Sequence, residues 1–583
     1  MSARHGRRRW RMAIALTAAL SLILAACGGG DDEATDTDTD TDTDTDDGAD
    51  PDTDDTASGD EDAPDTIVID YISDHQEVVF DPHVRAAPAD RLVMRPVYDT
   101  LLTFTSENLE APEPWLAESY DVSDDATEFT FHLRDGVNFS DGTPMTANDV
   151  AWSMNRLRFI DSTTTFLTDG IIDVRAEDER TVVIETDIPR PDIPSIVSSP
   201  SLGVVNSAVL EDLGAVGGEG ANAEPPEVAD FFTDNSVGSG PYMIETYDIQ
   251  QEVVLVRNPE WWGTEPKYER IIFRPADVGV QLLNIQSGEA DIVLNLGGEE
   301  LERLDRDQFF IQEETGTNIW ALTLNLQLLE VDDQAEFIDA VRLAIDWDSL
   351  AELGGPGAQR NCGFVHLQLL GAIQPGDERC IERDVDAASA ALEASGYDGE
   401  ELTFIINPEH NRDGVQSTQL GARLQQQFEE IGLIVRLNEA APTAHNEMRD
   451  SGVDTHFYIT PTSLRWPDPS ADASYWAPGG GAGLVGDVYR CCWAASDDDR
   501  FHDPIEGTER VEELTAIALS APTDEEREAA LLEAQEIANE NAPFWAMMQG
   551  SVSVVAQLNI PDPGHIHPVW LYEIPTFAGA GPQ

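Results

Sequence analysis

Lysine is almost missing from this chain: Lys267 is the only one in 583 residues, and all basic side chains number 33 against 112 acidic ones. The resulting formal charge of −79 excludes nucleic acid as a partner, because binding a phosphate backbone needs a basic surface that releases counterions. The same field repels an anionic membrane face. Long apolar runs are missing too: outside Met12 to Ala26 nothing approaches 18 consecutive apolar residues, so the remainder contains no membrane-spanning segment. Catalytic patterns are absent as well. There is no GxSxG, HExxH or Walker sequence, the histidines are scattered without i, i+4 pairing, and no metal or cofactor is implied. What is present describes a globular protein of two or more folding units: 41% hydrophobic residues, 44 Gly, 34 Pro and 12 Trp.

The N-terminus reads as an export address. Arg4, Arg7, Arg8, Arg9 and Arg11 precede a short apolar run that ends Leu24-Ala25-Ala26-Cys27-Gly28. This end resembles a bacterial lipobox, in which the Cys is acylated and becomes the mature N-terminus; an ordinary signal peptide with an incidental Cys is the alternative. On this reading residues 1–26 are a lipoprotein signal peptide, Cys27 is the lipidated residue, and the protein is tethered to the membrane outside the cytoplasm only through its lipid. Residues 27–65 then form a spacer. From residue 28 on it lacks any Lys, Arg, aromatic or branched aliphatic residue and repeats Thr-Asp from Thr35 to Asp46. Self-repulsion keeps its acid-rich residues 31–65 extended, to a reach on the order of 115 Å at about 3.3 Å per residue. A body this acidic that keeps arginine fits a protein selected for solubility at high ionic strength, where repulsion is screened.

From Thr66 the pattern becomes structured and mixed. Thr66–Tyr71, Glu128–Leu133, Val253–Val256, Ile271–Phe273 and Ile292–Leu294 read as strands, whereas Ala147–Met154, Phe337–Leu350 and Gln416–Ile431 read as helices. No solenoid period is present.

Several blocks carry a resemblance. Phe80-Asp81-Pro82-His83, Val97-Tyr98-Asp99-Thr100-Leu101-Leu102 and Pro114-Trp115-Leu116-Ala117-Glu118-Ser119-Tyr120 are followed by a run from Phe131 to Val150 that reads FHLRDGVNFSDGTPMTANDV. Gly238-Ser239-Gly240-Pro241-Tyr242, Arg257-Asn258-Pro259-Glu260-Trp261-Trp262 and Pro543-Phe544-Trp545 continue it. Together they resemble the extracellular solute-binding protein family 5, the dipeptide-, oligopeptide- and nickel-binding receptors of ABC importers, over about residues 66–575. The resemblance implies an α/β, two-lobed periplasmic-binding-protein-like clamp of type II. Its large discontinuous first lobe would span 66–321 plus 541–583, with an extra subdomain at about 105–231, and lobe two would span 322–540. It also implies a monomeric receptor without chemistry of its own, which delivers a small peptide or peptide-like solute to ABC importer permease subunits. An oligosaccharide, an opine-like compound or a metal chelate is the alternative ligand; a surface sensory or adhesion role is the alternative use of the clamp.

Ligand residues carry over only where positions match. Peptide-binding members hold the ligand's amino group on an Asp three residues after a Trp; here Trp466-Pro467-Asp468-Pro469 puts Asp468 two residues after Trp466. Either Asp468 takes the ammonium or the anchor is missing. The place of the carboxylate-binding Arg falls at Asn411, beside Arg412, whose guanidinium fork suits a carboxylate. Backbone groups of Ala86 and Ala87 are the expected contacts on lobe one, and Trp320 and Trp466 are candidate cleft walls, with core packing as the alternative for each. Gly481-Ala482-Gly483-Leu484-Val485-Gly486 matches GxGxxG spacing but follows Pro and Gly rather than a strand, so it reads as a loop. Cys362, Cys380, Cys491 and Cys492 allow three full pairings. Cys362 with Cys380 closing a loop is the favoured one, with Cys491 and Cys492 either a vicinal ring or reduced.

Overall fold

The computed structural model describes residues 65–72, 80–84, 92–105, 108–248, 252–451, 455–476 and 507–560. Cys27, Ala86, Ala87, Cys491, Cys492 and the glycine-rich segment 481–486 lie outside them.

Thr66–Tyr71 is a strand that buries Ile67, Ile69 and Tyr71. It pairs in parallel with Arg270–Pro275 on one side and with Ile292–Leu294 on the other. The first of these pairs antiparallel with Glu252–Arg257, which in turn pairs with Tyr242–Asp248. Beyond Ile292–Leu294 come two long strands, Phe544–Gln557 and Phe309–Leu324, and then Phe457–Ser463, Leu402–Ile406 and Val435–Glu439. One mixed eleven-stranded sheet therefore runs through both halves of the body.

The two long strands are what the halves share. They pair from Phe309 opposite Gln557 to Thr323 opposite Phe544, with an irregularity between Thr315 and Ile319. Val554–Ala556 still pairs with Ile292–Leu294, whereas Asn318–Leu324 pairs with Phe457–Ser463. Each half has its own apolar core. One gathers Ile67, Phe80, Tyr98, Leu255 and Phe273; the other gathers Trp320, Phe337, Leu350, Phe404, Leu424 and Phe457.

A third core sits under a separate antiparallel sheet of four strands, in the order Ala117–Val122, Glu128–Leu133, Thr181–Thr186, Ile171–Ala176. Phe129, Phe131, Leu133, Val182 and Ile184 face helix Ala147–Phe159 across it. The helix starts where Thr146 donates its backbone N–H to the Asp149 carboxylate at 2.9 Å, half of a capping box written into Thr-Ala-Asn-Asp. Helices Ser207–Asp212 and Pro226–Phe231 pack on the first core instead, through Leu210 and Val228.

Acidic side chains start other helices as well. Asp333, Asp346 and Asp384 each accept a backbone N–H in a first turn, which places part of the acid excess where the helix dipole favours it. Asp346 also corrects a reading: the helix expected over Phe337–Leu350 is two, Gln334–Ala344 and Trp347–Ala351, because Asp346 caps a new start. Cys362 and Cys380 form a disulfide.

Candidate functional site

The segment after strand Phe457–Ser463 joins the second half of the sheet to the four-stranded unit. Leu464-Arg465-Trp466-Pro467-Asp468-Pro469 leads into helix Ser470–Trp476. Trp466 and Ala471 are buried in the third core, with the Trp466 ring 6.0 Å from that of Phe166 in the short turn Thr165–Thr168. The Trp466 indole donates to Ser470 Oγ at 3.1 Å, and that hydroxyl donates to Asp192 Oδ2 at 2.9 Å. Arg190 holds Asp192 from the other side at 2.8 Å. A buried polar chain thus fastens the 464–476 segment to the four-stranded unit, and this contact is the seam of the molecule.

Asp468 lies in the same seam. Its Oδ1 accepts the Ser470 N–H at 2.8 Å, so it caps the helix, and also accepts from Arg527 of helix Asp524–Asn541. Burial and the nearby Asp192 charge push the Asp468 carboxyl above its ordinary value against the pull of Arg527. Trp320 is wholly buried in the second core, so its ring presents no face to solvent.

Arg412 sits half-buried in a small hairpin, Asn411–Arg412 with Val415–Gln416. Its Nη1 lies 3.5 Å from Ser463 Oγ, which donates to Asn318 Oδ1 at 2.6 Å. The fold therefore brings Arg412 to the strand end from which the Trp466–Asp468 segment departs.

The stretch leading towards Ala86 and Ala87 is held from below. Arg156, almost fully buried, donates to Asp81 Oδ1 and Oδ2 at 2.8 and 2.6 Å and to Glu224 Oε1 and Oε2 at 2.8 Å each. It also donates to His83 Nδ1 at 2.9 Å, leaving His83 Nε2–H to donate to the Gly203 carbonyl at 3.1 Å. Burial, helped by the Arg156 charge, lowers the His83 imidazole to about 4, so it is neutral at neutral pH. Despite burial, Arg156 holds the Asp81 carboxyl below its ordinary value.

One residue went unread in the sequence. Arg465 stacks its guanidinium on Tyr475, 4.0 Å from the ring centroid, and over Phe166 at 5.0 Å. Its Nη1 is shut off from solvent with no hydrogen-bond partner. The scarcity of cations in the chain was the signal that could have marked it. A cavity of about 480 Å³ bounded by Leu133, Arg134, Val137, Met145 and Glu179 lies on the four-stranded unit and includes none of the candidate residues.

Among the described residues there is no cluster of three metal-ligating side chains, and no helix long and apolar enough to cross a membrane. Among the described residues of the seam the polar groups other than Arg465 Nη1 are bonded to one another, and the Ser470 hydroxyl is held by Trp466 and Asp192 rather than paired with a histidine.

Comparison with known proteins gives this arrangement its context. Residues 111–483 match the model of the bacterial extracellular solute-binding proteins, family 5. A probable D,D-dipeptide-binding periplasmic protein of Escherichia coli K12 is 25% identical over 498 residues, 83% of this chain and 88% of that one. The dipeptide-binding protein from Pseudoalteromonas sp. SM9913, solved with Met-Leu, superposes with a TM-score of 0.72 at 18% identity, covering 88% of this chain and all of that one. The binding protein AgaA, solved with agropinic acid, superposes with a TM-score of 0.67 at 18% identity over 87% of this chain and 98% of that one. With the matched region covering most of the chain and the fold agreeing, the chain belongs to family 5 of the bacterial extracellular solute-binding proteins.

Proposed function

We propose that this protein is a lipid-anchored receptor standing outside the cytoplasm, which captures a small peptide or peptide-like solute between its two lobes and hands it to the permease of an ABC importer. The observation that carries the reading is the seam, where a segment of the second half of the sheet is seated on the four-stranded unit through Trp466 and Ser470. A relative named for binding D,D-dipeptides, matched over most of both chains, supports the peptide class. The proposed lobes are 66–321 with 541–583, and 322–540; the two long paired strands, one joined to Ile292–Leu294 and the other to Phe457–Ser463, support two connections between them. Cys27 is the proposed lipid site.

Within this reading Asp468 and Trp466 build the cleft wall, Arg412 lines it at the strand end, Ala86 and Ala87 offer backbone groups from the opposite lobe, and Trp320 backs it from the core. A non-peptide solute is the second reading, favoured by one observation: the Asp468 carboxylate is engaged by Arg527 and Ser470 rather than free for an ammonium. Thermal denaturation of the full chain in about 2 M NaCl against di- to pentapeptides, sugar acids, neutral sugars and metal chelates tests both, since a ligand that binds only the folded state raises the melting temperature. Shifts confined to peptides support the first reading; shifts with sugar acids or chelates and none with peptides overturn it in favour of the second.

A further inference from the structure

The cavity of about 480 Å³ on the four-stranded unit has walls fixed by the backbone. Arg134 N–H donates to the Leu116 carbonyl at 2.9 Å, Leu133 N–H to the Arg180 carbonyl at 2.8 Å, Met145 N–H to the Val137 carbonyl at 2.9 Å, and Ala147 N–H to the Glu179 carbonyl at 2.9 Å. Leu116, Leu133, Val137 and Met145 line it with apolar groups, and its volume falls in the range of small-molecule sites. No residue of the seam borders it.

Its cation is uncommitted. Three other arginines of the four-stranded unit reach carboxylates: Arg175 holds Asp173 and Glu185, Arg180 lies 3.8 Å from Asp135, and Arg190 holds Asp192. Half-buried Arg134 makes no ion pair among the described residues. Its Nε donates to the Trp115 carbonyl at 2.9 Å, and its guanidinium lies 5.0 Å from the centroid of the Trp262 ring. The buried carboxylate whose charge it influences, Asp99, is already taken up by Trp115 at 2.7 Å, Ser239 at 2.6 Å and Trp262 at 3.0 Å. Anchored through Nε and stacked on one face, the guanidinium keeps both Nη groups for an incoming oxyanion.

Glu179, in the turn before strand Thr181–Thr186, borders the same cavity with an exposed carboxylate that bonds to nothing among the described residues. A cation and an anion that line one apolar cavity without pairing with each other are complementary to a zwitterion. A simple anion would satisfy Arg134 but meet Glu179 and Asp135 as like charges, and a simple cation would leave Arg134 without a partner.

We propose that this cavity is a second solute site, separate from the seam, which takes an apolar α-amino acid: its carboxylate on Arg134, its ammonium toward Glu179, and its side chain against Leu133, Val137 and Met145. The site stands apart from the receptor reading, so either outcome of its test leaves that reading where it is.

The test is methyl NMR of the full chain labelled with [13C-methyl]methionine, in which the Met145 signal is identified by its loss in M145L, a swap that conserves volume. L-Leucine is expected to shift that signal in a saturable way. Leucinamide, which lacks the carboxylate, should need a concentration about 10- to 100-fold higher, the range of a hydrogen bond to a charged group. 4-Methylpentanoate, which lacks the ammonium, should bind about 2- to 5-fold more weakly than leucine, as an exposed ion pair allows, and E179Q should remove that smaller difference. R134Q should bring leucine and leucinamide to near-equal affinity. A Met145 signal that leucine leaves in place up to about 10 mM overturns the proposal, as does one that leucine and leucinamide shift equally. Both comparisons are made on the wild type, so misfolding of R134Q cannot shield the proposal, and a folded R134Q that keeps the wild-type ratio also overturns it.

Discussion

Replacing Arg156 with Met tests whether the network beneath Asp81 and His83 holds the structure as its geometry implies. The guanidinium makes four hydrogen bonds of 2.6 to 2.8 Å to Asp81 and Glu224, with its own side chain and that of Asp81 nearly inaccessible. Methionine fills much of the same volume, so the cavity contribution is small and the cost is the charge left behind. Removing one partner of a buried pair typically costs about 3 to 5 kcal/mol. An independent bound agrees: keeping one stranded carboxyl protonated at pH 7 against an ordinary value near 4 costs about 4 kcal/mol. Urea denaturation followed by tryptophan fluorescence, at pH 7 and constant salt, reads the loss. The triple variant D81N/R156M/E224Q should recover most of it, because nothing charged then remains buried. The sign of the pH dependence is also set. Asp81 is held below its ordinary value in the fold, so its stabilisation is present above about pH 4 and fades as pH falls through the folded value. The gap between wild type and R156M should therefore narrow in acid. A loss under about 1 kcal/mol, or a triple variant as unstable as R156M, refutes the argument.

Three further outcomes are expected. With its imidazole lowered to about 4 in the fold, His83 binds its proton less readily than in the unfolded chain between about pH 4 and 6.5. Stability should therefore rise with pH across that window by up to about 3 kcal/mol, and H83Q should flatten the rise when denaturation is compared at pH 4.5 and 7. Gly550→Ala places a Cβ 2.2 Å from the Asp413 carbonyl oxygen and 2.8 Å from Val415 Cγ2, so a loss of at least about 2 kcal/mol is expected by urea titration; a neutral result would mean the hairpin moves freely. Serine at both Cys362 and Cys380, which are 18 positions apart, should cost about 3 kcal/mol under the chain-entropy account, read as the difference between oxidised wild type and the double variant.

What was legible in the sequence was local. The stretch from Glu128 to Phe159 contains a strand with period-two burial, turns with Gly136 and Gly142 at positive φ, and a helix whose capping residues Thr146 and Asp149 are three positions apart. Each of these is decided within a few residues, so its pattern survives in one dimension. The single helix expected over Phe337–Leu350 failed at Asp346, where apolar spacing continues across a break that only the capping carboxylate marks. The candidate site was harder for a different reason. Asp81, Arg156 and Glu224 are about 70 residues apart at each step, and nothing near any of them announces the others. Trp466 and Asp468 were marked by the resemblance, through a Trp followed closely by an Asp, yet their surroundings depend on Phe166, Asp192 and Arg527 facing them from other elements. Arg465 lies between residues that were weighed, and what sets it apart is the absence of a partner, which a sequence cannot display.

The same contacts suggest how the seam and the connection between the two halves of the sheet are coupled. A rotation of one half against the other on solute capture would bend the two long strands, which lose register between Thr315 and Ile319 and again between Trp320 and Ala321. That stretch is pinned from several sides. Asp413 accepts the Asn318 backbone N–H at 3.1 Å, and the bare Cα of Gly316 lets its carboxylate in, since a Cβ there would stand 2.3 Å from Oδ2. Gln549 donates to the Gly316 carbonyl at 2.6 Å. The Thr317 carbonyl accepts from Leu464 N–H at 3.0 Å and lies 3.0 Å from His366 Nε2. Leu464 is the residue before Arg465, and His366 is bound to Asp472 in the helix that carries Tyr475. The strand irregularity and the seam therefore share residues rather than lying at two ends of a lever: a shift of the 464–476 segment on the four-stranded unit displaces the groups that satisfy Thr317, and a bend at Thr317 displaces Arg465 and Tyr475. The irregular strand at Thr317 is thus joined to the seam through the Leu464 N–H and the His366 and Asp472 side chains, a connection short enough that no relay across the core is needed.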